Sequence, residues 1–264
     1  MNGRRFGMLA AASLCRRELT RFYRERSRVI GAIVPPFVFW FLLGSGLGSS
    51  FRIPGMEGGV NYLQYFFPGT VVLVVLFTAI FSTISIIEDR REGFLQSVLV
   101  APIPRSSVVA GKIFGGALLA FFQGMLFLLM APSIGLHVDA AGAALIAATL
   151  LLIALGLTGL GFVIAWTLDS TQGFHAIMNL FLIPMWMLSG ALFPITGAPV
   201  WLRAVVAVNP LTYGIAALQT GLRGSGQATA GPPSAVCLGV IAAFCVVTFA
   251  AAVFVARRPE RAGH

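Results

Sequence analysis

The chain has 264 residues, of which 58% are hydrophobic and only 10% charged, and its mean hydropathy is +0.90. A soluble domain carries about 25% charge, so a soluble fold would have to hide nearly all of its surface. The net charge of +9 is shared with nucleic-acid binders, but eight of the eighteen basic residues lie in the first 28 positions and three in the last eight, flanking apolar runs. That is the distribution of a membrane protein, and nucleic acid is set aside as a partner.

Residues 1–28 are predicted to form an amphipathic helix lying on the membrane surface. At helical spacing Met8, Cys15, Leu19 and Phe22 gather on one side and Arg17, Arg21, Arg24 and Arg28 on the other. Arg26 breaks the pattern, and its long stem can snorkel. Six spans follow at 29–48, 66–87, 107–135, 142–166, 175–193 and 235–256, each long enough for a hydrocarbon core about 30 Å thick. The first run is too long for a cleavable leader and lacks a small-x-small site, so it is expected to stay in the membrane.

The domain organisation expected is therefore 1–28 as interfacial helix, 29–256 as a six-span membrane domain and 257–264 as a basic tail. Between spans five and six, APVWLRAVVAV and NPLTYGIAALQTGLRG are each too short to cross. They are predicted to be two short re-entrant helices, with Asn209 capping the second and Pro210 at its first position, packed on spans five and six. With the N-terminus inside, fifteen basic residues fall on the inner side and three, Arg52, Arg203 and Arg223, on the outer side. The positive-inside rule then places both termini in the cytoplasm.

Several kinds of chemistry are missing. AGKIFGG at 110–116 lacks the first glycine and the hydroxyl residue of a phosphate-binding loop, so Lys112 reads as a snorkelling residue and the chain cannot hydrolyse ATP by itself. There is no G-x-S-x-G or H-E-x-x-H, and His137, His175 and His264 are scattered. Cys15, Cys237 and Cys245 make neither a paired framework nor a metal-ligand spacing. No catalytic or metal-binding residue is predicted. A proton-driven carrier needs acidic groups at depth, and Glu18, Glu25, Glu57, Glu88, Asp89, Glu92, Asp139, Asp169 and Glu260 all read as lying at span ends, in loops or in the termini. The polar groups left within spans, such as Ser82, Ser85, Gln123 and Asn179, suit helix packing.

The stretch EDRREGFLQSVLVAPIPRSS, residues 88–107, puts five charges together between two apolar spans. Phe94, Leu95, Val98 and Leu99 share a helical face, the cluster Glu88 to Glu92 precedes them as an acidic cap, and Pro102 and Pro104 stop the helix. A short helix with an apolar face is a docking shape.

Here the sequence resembles the permease subunits of type-2 ABC exporters, a group that includes drug-, Nod-factor- and polysaccharide-exporter permeases. The resemblance covers nearly the whole chain. It is carried by VPPFVFWFLLGSGLG, YLQYFFPGTVVL, EDRREGFLQSVLVAPIPRSSVVAGKIFGG and LSGALFPITGAPVWLRAVVAVNPLTYGIAALQTGL, in that order. It implies an all-α integral membrane protein whose cytoplasmic loop between spans two and three carries a coupling helix docked on a separate ATPase subunit, where ATP and Mg would be bound. It implies further that two permease copies, identical or paralogous, work together in the bilayer of a bacterial inner membrane.

On this sequence the coupling region matches Glu88, Arg91, Glu92, Gly93, Leu95 and Pro102, with Phe94 added; the resemblance also implies that the two short helices before span six form an outer cap over the translocation path, matched at Asn209, Pro210 and Tyr213. Relatives read roughly R-E-x-G-T-L-E where this chain has Phe94 and Gln96, so docking is expected to rest on Phe94 and Leu95 filling an apolar pocket, with Glu92 as the remaining acid. Phe37, Trp40, Phe41, Phe77, Phe81, Phe181 and Trp186 are candidates for a greasy path suited to a lipophilic drug, lipid or lipid-linked glycan. The competing reading is a membrane assembly or channel-like protein that uses no ATP.

Overall fold

The computed structural model describes residues 3–47, 62–193, 198–223 and 231–257, and every regular element among them is helical. The expectations for Arg52, Glu57 and the tail beyond Arg257 lie outside the described residues. In chain order the helices are α1 (Gly3–Arg24), α2 (Arg26–Leu47), α3 (Tyr62–Arg91), α4 (Phe94–Val100), α5 (Arg105–Leu128), α6 (Ala140–Thr167), α7 (Thr171–Trp186), α8 (Val200–Val208), α9 (Pro210–Arg223) and α10 (Ser234–Arg257). A short 3₁₀ turn, Ala131–Ile134, extends α5, and a π-helical turn, Met187–Ala191, extends α7. Six helices, α2, α3, α5, α6, α7 and α10, are long and apolar enough to cross a membrane, as predicted.

α3 is the axis of the bundle. Its apolar run from Phe66 to Leu76 is buried all round, against α2, α5 and α6, the pattern of a span enclosed by other spans. α6 packs in turn on α10, while α7 rests chiefly on α3 and on its own continuation. α2 and α10 keep most of their apolar surface uncovered, which suits helices with lipid as solvent on one side.

α1 does not stand apart from the bundle as a lone surface helix. It runs parallel to α5 and is fastened along it, Gly7 beside Ser107, Leu14 beside Gly111 and Glu18 beside Gly115. A Cβ on Gly111 would come within 2.7 Å of the Leu14 Cβ and 2.8 Å of the Ala11 carbonyl oxygen, so the absence of a side chain sets this approach. Phe22, expected on a lipid-facing stripe, is buried beside Ala32 and Leu119. Met8 from the same stripe is exposed.

α7 carries Pro184 in its last turn and breaks beyond it, at Leu188 and then at Gly190, whose φ of 81° lies in the left-handed region. Backbone groups freed inside an apolar bundle must find partners. The Met185 carbonyl accepts from Asn209 Nδ2 at 2.5 Å, the Gly190 carbonyl from the Tyr65 hydroxyl at 3.0 Å, and the Leu192 carbonyl from the Tyr62 hydroxyl at 3.1 Å. In the other direction, Trp186 Nε1 donates to the Gly69 carbonyl at 2.7 Å.

α8 and α9 are the two short helices predicted before the last span, bent by 81° at Asn209. Asn209 Oδ1 accepts from the Leu211 amide at 3.0 Å, and Pro210 occupies the first helical position, so the predicted cap is present. Tyr213 bridges the corner, its hydroxyl donating to the Ala207 carbonyl at 2.9 Å. α9 packs on α10 and on the turn that ends α7, as expected of spans six and five, but its broadest contact is with α6, which the sequence did not indicate. There a Cβ on Gly142 would meet the Gly221 carbonyl oxygen at 2.3 Å.

Candidate functional site

The turn between α3 and α5 holds the predicted docking residues. The charges at 88–91 belong to the last turn of α3 and do not cap α4: Glu92 and Gly93 make the turn, Gly93 at φ 74°, and α4 starts at Phe94 with no acid in its first turn. Three carboxylates next to the C-terminus of α3 oppose its dipole, and cations from other helices offset them.

Asp89 is fully buried, and Glu18 and Lys112 expose only 4% and 3% of their side chains. Lys112 Nζ donates to Glu18 Oε1 at 2.6 Å, to Asp89 Oδ2, and to Ser85 Oγ at 3.3 Å, while Ser85 donates to Glu18 Oε2 at 2.6 Å. Arg17 grips Asp89 with both terminal nitrogens at 2.7 and 2.9 Å, the bidentate geometry that makes such pairs strong. Arg21 reaches Asp89 at 2.5 Å and Glu88 at 2.8 Å. Arg28 pairs with Glu88 and, at 2.5 Å, with Glu25.

Five carboxylates and four cations thus join the end of α3 to α1, α5 and the start of α2. The hydrogen bond from Arg17 to Asp89 holds that guanidinium above its ordinary pKa, and burial, with Glu18 adding to it, pushes the Cys15 thiol up. On the other flank Arg90 donates to the Trp166 and Leu168 carbonyls at 2.6 and 3.1 Å and pairs with Asp169 at 3.0 Å, and Arg91 donates to the Asp169 carbonyl at 2.8 Å. The charged run is therefore mostly internal fastening. Lys112 does not snorkel; it is a buried hub.

α4 leans on this lattice. Leu95 is 1% exposed within the core, and Phe94 is half-buried under the Arg17 guanidinium, 3.7 Å from the ring centroid. Both residues expected to fill a partner's pocket are thus engaged within this chain. What α4 turns outward is Gln96, Ser97 and Val100, the last 87% exposed, with Glu92 and Arg91 exposed beside them. Ala101 leaves α4 in extended backbone, the Ile103 amide donates back to the Ala101 carbonyl at 2.7 Å in a tight turn at Pro102, and Pro104 sits at the N-cap of α5.

The seven aromatic candidates do not form one lining. Trp40 and Trp186 are core residues: Trp40 sits between the rings of Phe67 and Phe127, each 5.9 Å away, and Trp186 is tied to Gly69. Phe77 and Phe81 are half-buried and stacked at 5.9 Å, with His175 of α7 at 5.9 Å from Phe81. Phe37, Phe41 and Phe181 are exposed on α2 and α7.

The described residues thus form a helical bundle with six helices long and apolar enough to cross a membrane, and a short helix propped outside it beside an ionic lattice. Residues 10–222 match the family model described as ABC-2 type transporter, and the chain belongs to that family. It is similar to ycf38 of Cyanophora paradoxa, which bears a transport-permease name (29% identical, over 76% of this chain and 70% of the relative). It is also similar to nodulation protein J of Rhizobium leguminosarum bv. viciae (27%, over 87% and 86%) and to the inner membrane transport permease YadH of Escherichia coli K12 (26%, over 91% and 92%). Members of this class are membrane subunits and not enzymes, and the family implies partnership with an ATPase subunit.

Proposed function

We propose that this chain is the permease of an ATP-driven exporter, that α4 is the element through which the ATPase acts on it, and that it works as a pair of permeases in a bacterial inner membrane with both termini cytoplasmic. The observation that carries the reading is the position of α4: its outer face is exposed, while Phe94 lies under Arg17 of a lattice that ties α1, α3 and α5 together and Leu95 is buried in the apolar core. A push on α4 would move three helices as one. Binding of ATP and Mg by the partner would favour one arrangement of the spans over another, which is a shift of population driven by differential binding. The exposed aromatic surface of α2 and α7, Phe37, Phe41 and Phe181, together with the stacked Phe77 and Phe81, supports a lipophilic drug, lipid or lipid-linked glycan as cargo.

The reading is tested by purifying the chain with its cognate ATPase subunit and reconstituting both in liposomes. Expected are a stable complex and ATP-dependent movement of a lipophilic dye. A chain that retains no ATPase, or moves the dye equally without ATP, would be the assembly or channel-like protein instead.

A further inference from the structure

The face of α1 turned away from α5 carries a second basic feature that the lattice does not use. Arg17 and Arg21 are committed to Asp89 and Glu88, whereas Arg16 and Arg24 are exposed and have no carboxylate partner among the described residues. Together with Ser13, Thr20 and the lattice residues Arg17, Arg21 and Glu25 they border an open hollow of about 610 Å³ along α1, where Glu25 is already paired with Arg21 and Arg28. Both hydroxyls donate to their own helix, Ser13 to the Ala10 carbonyl at 2.9 Å and Thr20 to the Arg16 carbonyl at 3.0 Å, so Arg16 and Arg24 are the free donors there.

The same face is also apolar. Leu9, Arg16 and Tyr23 stand seven residues apart on one side of the helix, and Leu9, Tyr23 and the neighbouring Met8 are each more than half exposed. Guanidinium groups beside uncovered leucine, methionine and tyrosine match a lipid interface, where the apolar groups enter the acyl boundary, the aromatic ring lies at headgroup level and the cations meet phosphate. A water-soluble acidic partner would match the arginines and leave the apolar side chains unmatched.

We propose that this face of α1 binds anionic phospholipid, with Arg16 and Arg24 holding the phosphate. The inference stands independently of the coupling role of α4. The purified full chain is equilibrated with mixed phosphatidylglycerol and phosphatidylcholine vesicles, extracted with mild detergent, and the retained lipid is measured by mass spectrometry. The wild type should retain phosphatidylglycerol in excess of the vesicle ratio. Arg16→Gln with Arg24→Gln should lose that excess, by about fivefold for each arginine removed. Arg203→Gln, an exposed arginine on α8, should leave it unchanged.

Neither arginine of the double variant bears on the ionic lattice, so the variant folds, and its elution profile checks this. Equal enrichment in wild type and double variant would overturn the proposal. So would displacement of the lipid by inorganic phosphate, which marks a free-anion site, or loss of the ATPase subunit with lipid retention intact, which marks a protein surface.

Discussion

Lys112 is the single lysine of the sequence, and it lies where three helices meet, on Glu18 from α1 and on Asp89 and Ser85 from α3. A charge removed from water is tolerated only where partners replace hydration, and loss of one partner leaves the others uncompensated. Lys112→Met leaves the buried Glu18 with only a 3.3 Å contact from Arg17 and the Ser85 hydroxyl. The expected loss is about 3–5 kcal/mol of stability, read as earlier thermal aggregation of the detergent-purified protein. Adding Glu18→Gln should restore part of it, because the orphaned charge goes too. If the single variant melts like the wild type, the hub carries no weight. In the sequence the signal was present but mute: a lone lysine in an apolar helix and a glutamate among arginines, 94 positions apart, whose pairing only the packing of α1 on α5 discloses.

The helical spans and the α8–α9 corner were legible because length, hydropathy and the Asn209-Pro210 start signal are local. Long-range contacts were not. Amphipathicity set Arg17, Arg21 and Arg24 apart from Cys15, Leu19 and Phe22 but placed Arg28 on the same helix, whereas it belongs to α2. It could not show that Gly111 and Gly115 would draw α1 onto α5, nor that α4 would spend Leu95 on its own core. The glycines supply the test at this scale. Gly111→Val places methyl groups against Leu14 and the Ala11 backbone, and such overpacking costs about 1–3 kcal/mol, so α1 should loosen. In a chain whose Cys237 and Cys245 are replaced by alanine, Cys15 should react slowly with maleimide, since burial raises its thiol pKa and leaves little thiolate. Gly111→Val should speed that reaction several-fold. An unchanged rate would mean that α1 is held by something other than this seam.

Across the whole molecule the two ends of the bundle are built differently. One end gathers nine charged side chains around α4. The other closes with the broken end of α7, the Tyr62 and Tyr65 hydroxyls and the α8–α9 corner, where hydrogen bonds to backbone carbonyls do the fastening. Under the proposed function the ionic end is the one that receives the ATPase, and the hydrogen-bonded end lies across the bundle from it. Val100 on α4 and Val200 on α8 mark the two ends and are comparably exposed, so they give a matched pair of positions.

The most direct measurement is therefore site-directed crosslinking in membranes that contain the chain and its ATPase subunit, with a photoreactive maleimide on Val100→Cys or Val200→Cys in a background free of other cysteines. The account predicts an ATPase adduct from position 100 and none from position 200. An adduct from position 200, or none from position 100 while the two proteins still co-purify, would contradict it.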